Sequence, residues 1–146
     1  MKGGMNQDGI FTPWWTKSED GTLGHETFGV DVDAMWYSKP VETGAGLITE
    51  PYMATNGALM TSVSTPVKVK DRIVGLAGVD IRLDALTEML TALGAFEGGQ
   101  TLLVSQDANW LANPDNGDLT QAYDEAGLAT VQAALADGTS RVIEDM

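Results

Sequence analysis

The sequence predicts an α+β domain, an antiparallel sheet covered by helices, and three observations predict it. Two long stretches of strand character, Ala58–Val67 and Ile73–Ile81, flank the charged reversal Lys68-Val69-Lys70-Asp71-Arg72. In the first, Leu59, Thr61, Val63 and Thr65 alternate with Met60, Ser62 and Ser64, the period of a strand with one covered face. Such a pair joined by a short polar loop is an antiparallel hairpin. Directly after it, Leu86, Met89, Leu90 and Leu93 fall at i, i+3, i+4 and i+7, a helical stripe that Gly94 can end. Beyond that, Thr101–Val104 and Trp110–Ala112 make a second short strand pair around Gln106-Asp107-Ala108-Asn109. Sheet and helices of this kind bury each other's apolar faces.

The remaining elements follow in order. Residues 1–9 are polar and Gly-rich and are expected to be ordered only where neighbours hold them. Ile10–Trp15 reads as a short strand, and Pro13 within it implies an edge or a bulge because proline has no ladder donor. Asp20-Gly21 marks a turn in the polar stretch Lys17–Thr22. Asp31–Thr43 is helical in part, with Asp33 as cap, Met35, Trp36 and Pro40 on an apolar side, and an end that Pro40 leaves open. Leu47-Ile48-Thr49 is a strand ahead of Pro51. Asp84 is placed as N-cap of the helix carrying Leu86. Asn113-Pro114-Asp115-Asn116-Gly117 is a turn. A second helix is expected from Leu119 to Ala136 on Leu128, Val131 and Leu135, with Gly127 weakening it by about 1 kcal/mol. Ser140–Ile143 then opens a further strand.

The chain is 146 residues long and 43% hydrophobic, enough for a core. Eight basic residues stand against 21 acidic ones, a formal charge of −13. A surface that negative repels phosphate backbones and anionic membranes and attracts cations, so nucleic acid is not an expected partner. There is no cysteine, which excludes disulfides, thiolate catalysis and cysteine-ligated zinc. The longest uncharged stretch, Pro51–Val67, contains too much Asn, Ser, Thr and Pro to span a membrane. Met1-Lys2-Gly3-Gly4 lacks the apolar core of a signal peptide.

Asp80 is the sharpest position chemically. It lies between Val79 and Ile81 at the end of an apolar strand, where a buried carboxylate must be paired or hydrogen-bonded. It can hold a ligand ammonium, cap the helix beginning near Leu83, or face solvent. Trp14, Trp15, Trp36, Tyr37 and Tyr52 can wall a pocket and attract a cation, or simply bury against the sheet. Trp14 and Trp15 are adjacent on a strand and point to opposite faces, so one of them is structural. Glu50-Pro51-Tyr52 sets a carboxylate and a phenol around a rigid proline, a turn from which Tyr52 can reach a ligand.

Other chemistry is poorly supplied. Gly75-Leu76-Ala77-Gly78 has no Lys and no following Ser or Thr, so it is no phosphate loop. His25 is the only histidine, and no Gly-x-Ser-x-Gly elbow exists. Asp115-Asn116-Gly117-Asp118 lacks the distal Glu of a calcium loop. A carboxylate-based hydrolase would have to use Glu50 with Asp80 across a cleft. No cofactor and no metal are expected, and sensing a small molecule suits these residues better than transforming one.

Several of these residues together carry a pattern. Trp36-Tyr37, Ile48-Thr49-Glu50-Pro51-Tyr52, Met60–Val67 and Val74–Leu86 stand in an order and spacing that resembles the double Cache sensor domain of bacterial methyl-accepting chemotaxis receptors and related kinases and cyclases. Gly9–Trp15 resembles the strand before that family's pocket, and Gln100–Pro114 the start of its membrane-proximal module; the likeness spans roughly residues 9–145. It implies a PAS-like Cache fold, a central antiparallel sheet flanked by helices. It also implies a membrane-distal ligand-binding module over residues 1–97, incomplete at its N-terminus, and the truncated start of a proximal module over 98–146.

The parent protein would be a membrane-anchored, dimeric receptor with this segment in the periplasm or outside the cell. The fragment itself would be a monomer or an oligomer caused by truncation. Family members that bind amino acids use an Arg two positions before the Trp and an Asp two positions after the Tyr of Pro-Tyr, and here those positions are Ala34 and Ala54. Trp36, Tyr37, Tyr52 and Asp80 match the family's aromatic and anionic positions. The expected ligand is therefore a small cationic amine, methylated or not. The alternative is an amino acid or small carboxylate held by Lys39 or Arg72.

Overall fold

The structure is a computed structural model that describes residues 3–143 apart from 19, 55, 94–98, 116, 117, 125 and 126. In chain order it contains β1 (Pro13–Lys17), β2 (Leu23–Thr27), α1 (Met35–Thr43), β3 (Leu47–Ile48), β4 (Tyr52–Met53) and β5 (Leu59–Val69). There follow β6 (Arg72–Arg82), α2 (Leu83–Leu93), β7 (Leu103–Val104), β8 (Trp110–Ala112) and α3 (Leu128–Asp137). This is the α+β arrangement expected, with every strand pair antiparallel.

The β5–β6 hairpin forms where the alternation placed it. Its strands pair from Met60↔Arg82 to Val69↔Arg72, and Lys70, at φ 54°, and Asp71 make the reversal. β5 is the centre of the main sheet, with β6 on one side and both β3 and β4 on the other. Directly opposed residues share a face, so Leu47, Tyr52, Met60, Ser62, Ser64, Gly78, Asp80 and Arg82 line one side. Helix α1 packs on that side, where the Ser64 hydroxyl donates to the Trp36 carbonyl at 2.8 Å. The other side carries the row Ile48–Val63–Val79, all three exposed.

The register on the β3–β4 side contains one irregularity that shapes everything near it. Leu47 opposes Ser64 and Ile48 opposes Val63, but Tyr52 opposes Met60. Thr49, Glu50 and Pro51 therefore face only Thr61 and Ser62, a bulge of one extra residue. Pro51 has no N–H and fits where the ladder is already interrupted.

The core lies at one end of this sheet. Leu83, Trp110, Leu111 and Leu119 are buried together, with Leu59, Leu86, Val104 and Tyr123 packed around them. Helix α2 contributes Leu83 and Leu86 to this cluster, and the rings of Trp110 and Tyr123 meet at 5.0 Å. Met89 and Leu93, from the expected apolar stripe of α2, are exposed.

Several expected boundaries move, each for a local reason. The first strand begins at Pro13, not Ile10, and Phe11 makes only an isolated bridge to Met5. As first residue of the strand, Pro13 leaves no ladder bond unmade. β2 was not expected, because Leu-Gly-His-Glu-Thr has no apolar alternation; it pairs with β1 through the turn at Gly21, where φ is 84°. Ala34, not Asp33, stands at the α1 N-cap, and the helix continues past a buried Pro40 to a C-cap at Gly44. α2 starts at Leu83, with Asp84 inside its first turn, while Gly94 lies outside the described residues.

The last helix begins at Leu128 and not at Leu119, because Gly127 is left-handed at φ 83° and Leu119 is drawn into the core. Residues 140–143 form no strand; Arg141 instead folds back on Asp137 at 2.5 Å.

Two glycines of β6 should respond differently to a methyl group. A Cβ at Gly78 would lie 2.9 Å from the Val63 carbonyl oxygen, while one at Gly75 would meet nothing within 4 Å. Gly78→Ala is expected to cost about 1–3 kcal/mol through backbone shift. Gly75→Ala should be neutral or stabilising by up to about 1 kcal/mol. Chemical denaturation of the two variants checks the pair.

Candidate functional site

On the face covered by α1, Ser62 is where three strands meet. Its N–H donates to Thr49 Oγ1 and its carbonyl accepts from the Thr49 N–H, both at 2.9 Å. Both of its backbone groups thus turn toward the bulge, leaving Ser62 and Asp80 as a non-hydrogen-bonded pair across β5–β6. Side chains approach closest at such a pair. The Ser62 hydroxyl donates to Asp80 Oδ1 at 2.5 Å. That hydroxyl also lies 2.6 Å from the Tyr52 phenol, and since its single hydrogen goes to Asp80, Tyr52 donates to it. The bulge makes this possible, since the extra residue turns Tyr52 onto the same face as Ser62.

Thr49 is itself fixed. It is buried, and its carbonyl accepts from Thr61 Oγ1 at 2.6 Å. Partial burial holds the Tyr52 phenol above the ordinary tyrosine range, and the nearby Asp80 charge adds to this. Asp80 is exposed and forms no ion pair among the described residues. Of the three roles open to it, capping is not what its described hydrogen bond serves: Asp80 accepts from Ser62, while the first-turn amide of Ala85 goes to Asp84 at 2.7 Å.

The aromatic residues divide into two groups. Trp36 and Tyr37 sit on α1 over the same face, their rings perpendicular at 5.8 Å, and Phe28 meets Trp36 edge-on at 6.0 Å. Phe28 is anchored through its carbonyl by Thr12 Oγ1 at 2.9 Å and Asn6 Nδ2 at 3.0 Å. Trp14 and Trp15 stand on the β1–β2 hairpin, whose strands pair only with each other among the described residues. Trp15 is 65% exposed, its ring stacked on His25 at 4.4 Å, and Trp14 opposes Glu26. The structure thus joins Tyr52 and Asp80 through Ser62, seats Trp36 and Tyr37 on the same face, and leaves Trp14 and Trp15 on a separate hairpin. Ser62, Thr49 and Phe28 are not among the residues that sequence reasoning selected. Alternating hydroxyls at Ser62 and Ser64 on a covered face were the available signal.

The residues considered for other chemistry lie elsewhere. Glu50 projects from the bulge toward the β7–β8 turn, where it accepts from Ser105 Oγ, from Asn109 Nδ2 at 2.8 Å and from the Asp107 N–H at 3.3 Å. Those donors occupy it, and β5 stands between it and Asp80, so the two carboxylates do not form an acid–base pair. Lys39 is turned to Glu42 at 3.2 Å. Arg72 is at the hairpin tip, about 26 Å along β6 from Asp80 at 3.3 Å per residue. Neither cation is placed to hold a carboxylate at the site. Of the cations on that face, Lys68 donates to the Gly44 carbonyl at 2.7 Å, and Arg82, two residues from Asp80, clasps Asp84.

Two open hollows are also present. One of about 340 Å³ is bordered by Leu90, Gln100, Thr101 and Asp115. Another of about 250 Å³ is bordered by Leu59, Arg82, Asp84 and Leu119. Neither is lined by Trp36, Tyr37, Tyr52 or Asp80, and the hydrogen-bonded cluster is the better candidate because it converges on polar groups.

With this geometry in place, comparison with known proteins is informative. Residues 4–88 match the family described as methyl-accepting chemotaxis protein-like, first PDC sensor domain. The chain is 33% identical over 92 residues to methyl-accepting chemotaxis protein PscA of Pseudomonas syringae pv. tomato, covering 62% of this chain and 15% of that receptor. Among solved structures it is similar to methyl-accepting chemotaxis protein X, at 41% identity and a TM-score of 0.76, over 93% of this chain and 52% of that one. It is also similar to the ligand-binding domain of the Pseudomonas fluorescens chemoreceptor CtaA in complex with L-valine. That match has 26% identity and a TM-score of 0.53, over 81% of this chain and 55% of that one. The chain spans about half the length of those solved domains.

Two measurements follow from the site as built. Glu50→Ala leaves the Ser105 and Asn109 donors unmatched and should cost about 1.5–3 kcal/mol of stability, with Glu50→Gln retaining part of it. Equal stability of Glu50→Ala and the parent chain in urea would contradict that role. The raised Tyr52 value means the folded state binds its phenol proton more tightly than the unfolded state does. Its contribution is therefore full below the ordinary value of 10.0 and lost as pH rises through the higher folded value. Absorbance titration should show one tyrosine ionising late, and Tyr52→Phe should remove that step.

Proposed function

This chain belongs to the family of methyl-accepting-chemotaxis-protein-like first PDC sensor domains, and we propose that within it the chain senses a small cationic amine, free or methylated. The family is one of receptors, and the chain is not an enzyme. The observation that carries the ligand reading is the line Tyr52–Ser62–Asp80. It offers a carboxylate with no ion-pair partner among the described residues, on the face that also bears Trp36 and Tyr37. A cation there gains Asp80 charge and aromatic faces at once, and the overall charge of −13 favours its approach.

The wider reading follows the family. In this reading residues 1–97 form the membrane-distal ligand-binding module and residues 98–146 belong to a proximal one, in a dimeric receptor whose sensor lies in the periplasm or outside the cell. No helix among the described residues is long and apolar enough to cross a membrane. Ligand held between the sheet and α1 would favour one arrangement of the site. It can shift the receptor only by its difference in affinity for the two states.

One observation favours a second reading. Arg82 shares the face with Asp80, so an α-amino acid would find an acidic and a basic partner side by side; the CtaA domain is solved with L-valine. Against it stand Ala34 and Ala54 where amino-acid binders of the family carry Arg and Asp, and the engagement of Arg82 with Asp84.

Calorimetry with amines, amino acids and carboxylates separates the readings. Asp80→Asn is expected to weaken an amine by about 2 kcal/mol, and Trp36→Ala by about 0.5–2 kcal/mol. Unchanged amine binding in Asp80→Asn, or a carboxylate ligand lost on Arg82→Ala, would overturn the amine assignment.

A further inference from the structure

We propose that Ser62 is the residue that sets the polarity of this site, making it a surface of hydrogen-bond acceptors that takes an ammonium centre and turns away a carboxylate. The inference rests on the ligand reading above and deepens it. Ser62 is 4% exposed, its backbone is held by Thr49 through N–H and carbonyl, and its hydroxyl lies between Tyr52 and Asp80. Its hydroxyl has one hydrogen to give. A carboxylate only accepts, so that hydrogen goes to Asp80 Oδ1, at 2.5 Å. The Tyr52 phenol, at 2.6 Å, must then donate to Ser62 Oγ.

The consequence is directional. Tyr52 has committed its only hydrogen inward, and what its oxygen presents outward is lone pairs. Asp80 likewise presents its second oxygen. A phenol that is otherwise able to donate or accept is thereby fixed as an acceptor beside an anion, without touching the ligand through Ser62 at all. N–H groups of an amine, or the polarised methyl groups of a quaternary ammonium, meet acceptors on both sides. A carboxylate meets the oxygens of Tyr52 and Asp80, while Arg82 on the same face is engaged by Asp84. Without the Ser62 hydroxyl, Tyr52 regains the freedom to turn its hydrogen outward, and the site loses its bias.

Ser62 is thus a positioning residue, and its test reads selectivity, which a merely structural role would not move. Propyltrimethylammonium and butyrate are titrated by calorimetry into the parent chain, Ser62→Ala, Ser62→Thr and Asp80→Asn. The parent chain is expected to bind the ammonium and not butyrate. Ser62→Ala should lose about tenfold or more in the ammonium-to-butyrate preference, while Ser62→Thr, which keeps the hydroxyl, should retain it. Thermal unfolding of each variant identifies any loss of folding, and the Thr variant keeps the comparison decisive if Ala unfolds. If Asp80→Asn abolishes ammonium binding while Ser62→Ala keeps the parent's preference, the role given to Ser62 is wrong and the ligand reading stands. Loss of preference in a folded Ser62→Thr variant equally overturns it. If the parent chain binds no ammonium, the ligand reading fails and this inference with it.

Discussion

One extra residue on the edge of a strand governs the architecture of the site. Side chains alternate across a sheet, so inserting a residue reverses the facing of all that follow. Had the Ile48↔Val63 register simply continued, Tyr52 would oppose Leu59 and point to the exposed apolar side. The bulge instead turns Tyr52 onto the α1 side, above Ser62. It also frees Glu50 to leave the sheet plane, and it accommodates a proline where the ladder is already interrupted.

The same bulge separates the fates of two carboxylates. Glu50 is half-buried and accepts from Ser105, Asp107 and Asn109, so its charge is compensated by donors fixed on the β7–β8 turn. That satisfies the requirement for keeping an ion out of water, and it ties the turn to the segment that positions Tyr52. Asp80 is exposed, with one oxygen held by Ser62. The first carboxylate is tied into the fold, and the second is exposed and without an ion pair among the described residues. Similar residues in one short stretch of fold thus acquire distinct roles from their hydrogen-bond partners alone.

What the amino-acid pattern made legible was local and periodic. The β5–β6 hairpin, α2 and the β7–β8 pair follow from alternation, helical spacing and a charged reversal. β2 was hidden because its residues are mostly exposed and carry no alternation. The bulge was hidden because it exists only as a mismatch against a partner strand, which no single segment encodes. Glu50 finds its donors on the turn at residues 105–109, a partnership no spacing rule reaches, with 55 residues separating it from Ser105. Ser62 looked like one small hydroxyl among several; only its contact with Asp80 across β5–β6 gives its hydrogen a destination. At the other end, the pattern of Leu128, Val131 and Leu135 was read too far back, because Leu119 belongs to the core and not to the helix.

The central claim is that Tyr52, Ser62 and Asp80 form one acceptor surface for a cation on the α1 side of the sheet. Nuclear magnetic resonance tests it most directly, by following the Asp80 carboxyl carbon and the Tyr52 ring during titration with propyltrimethylammonium. Both signals, with the indole of Trp36, are predicted to move together and saturate at one ligand concentration. Saturable shifts confined to Leu90, Gln100 and Thr101, with Asp80 and Tyr52 unmoved, would place binding in the other hollow and contradict the account.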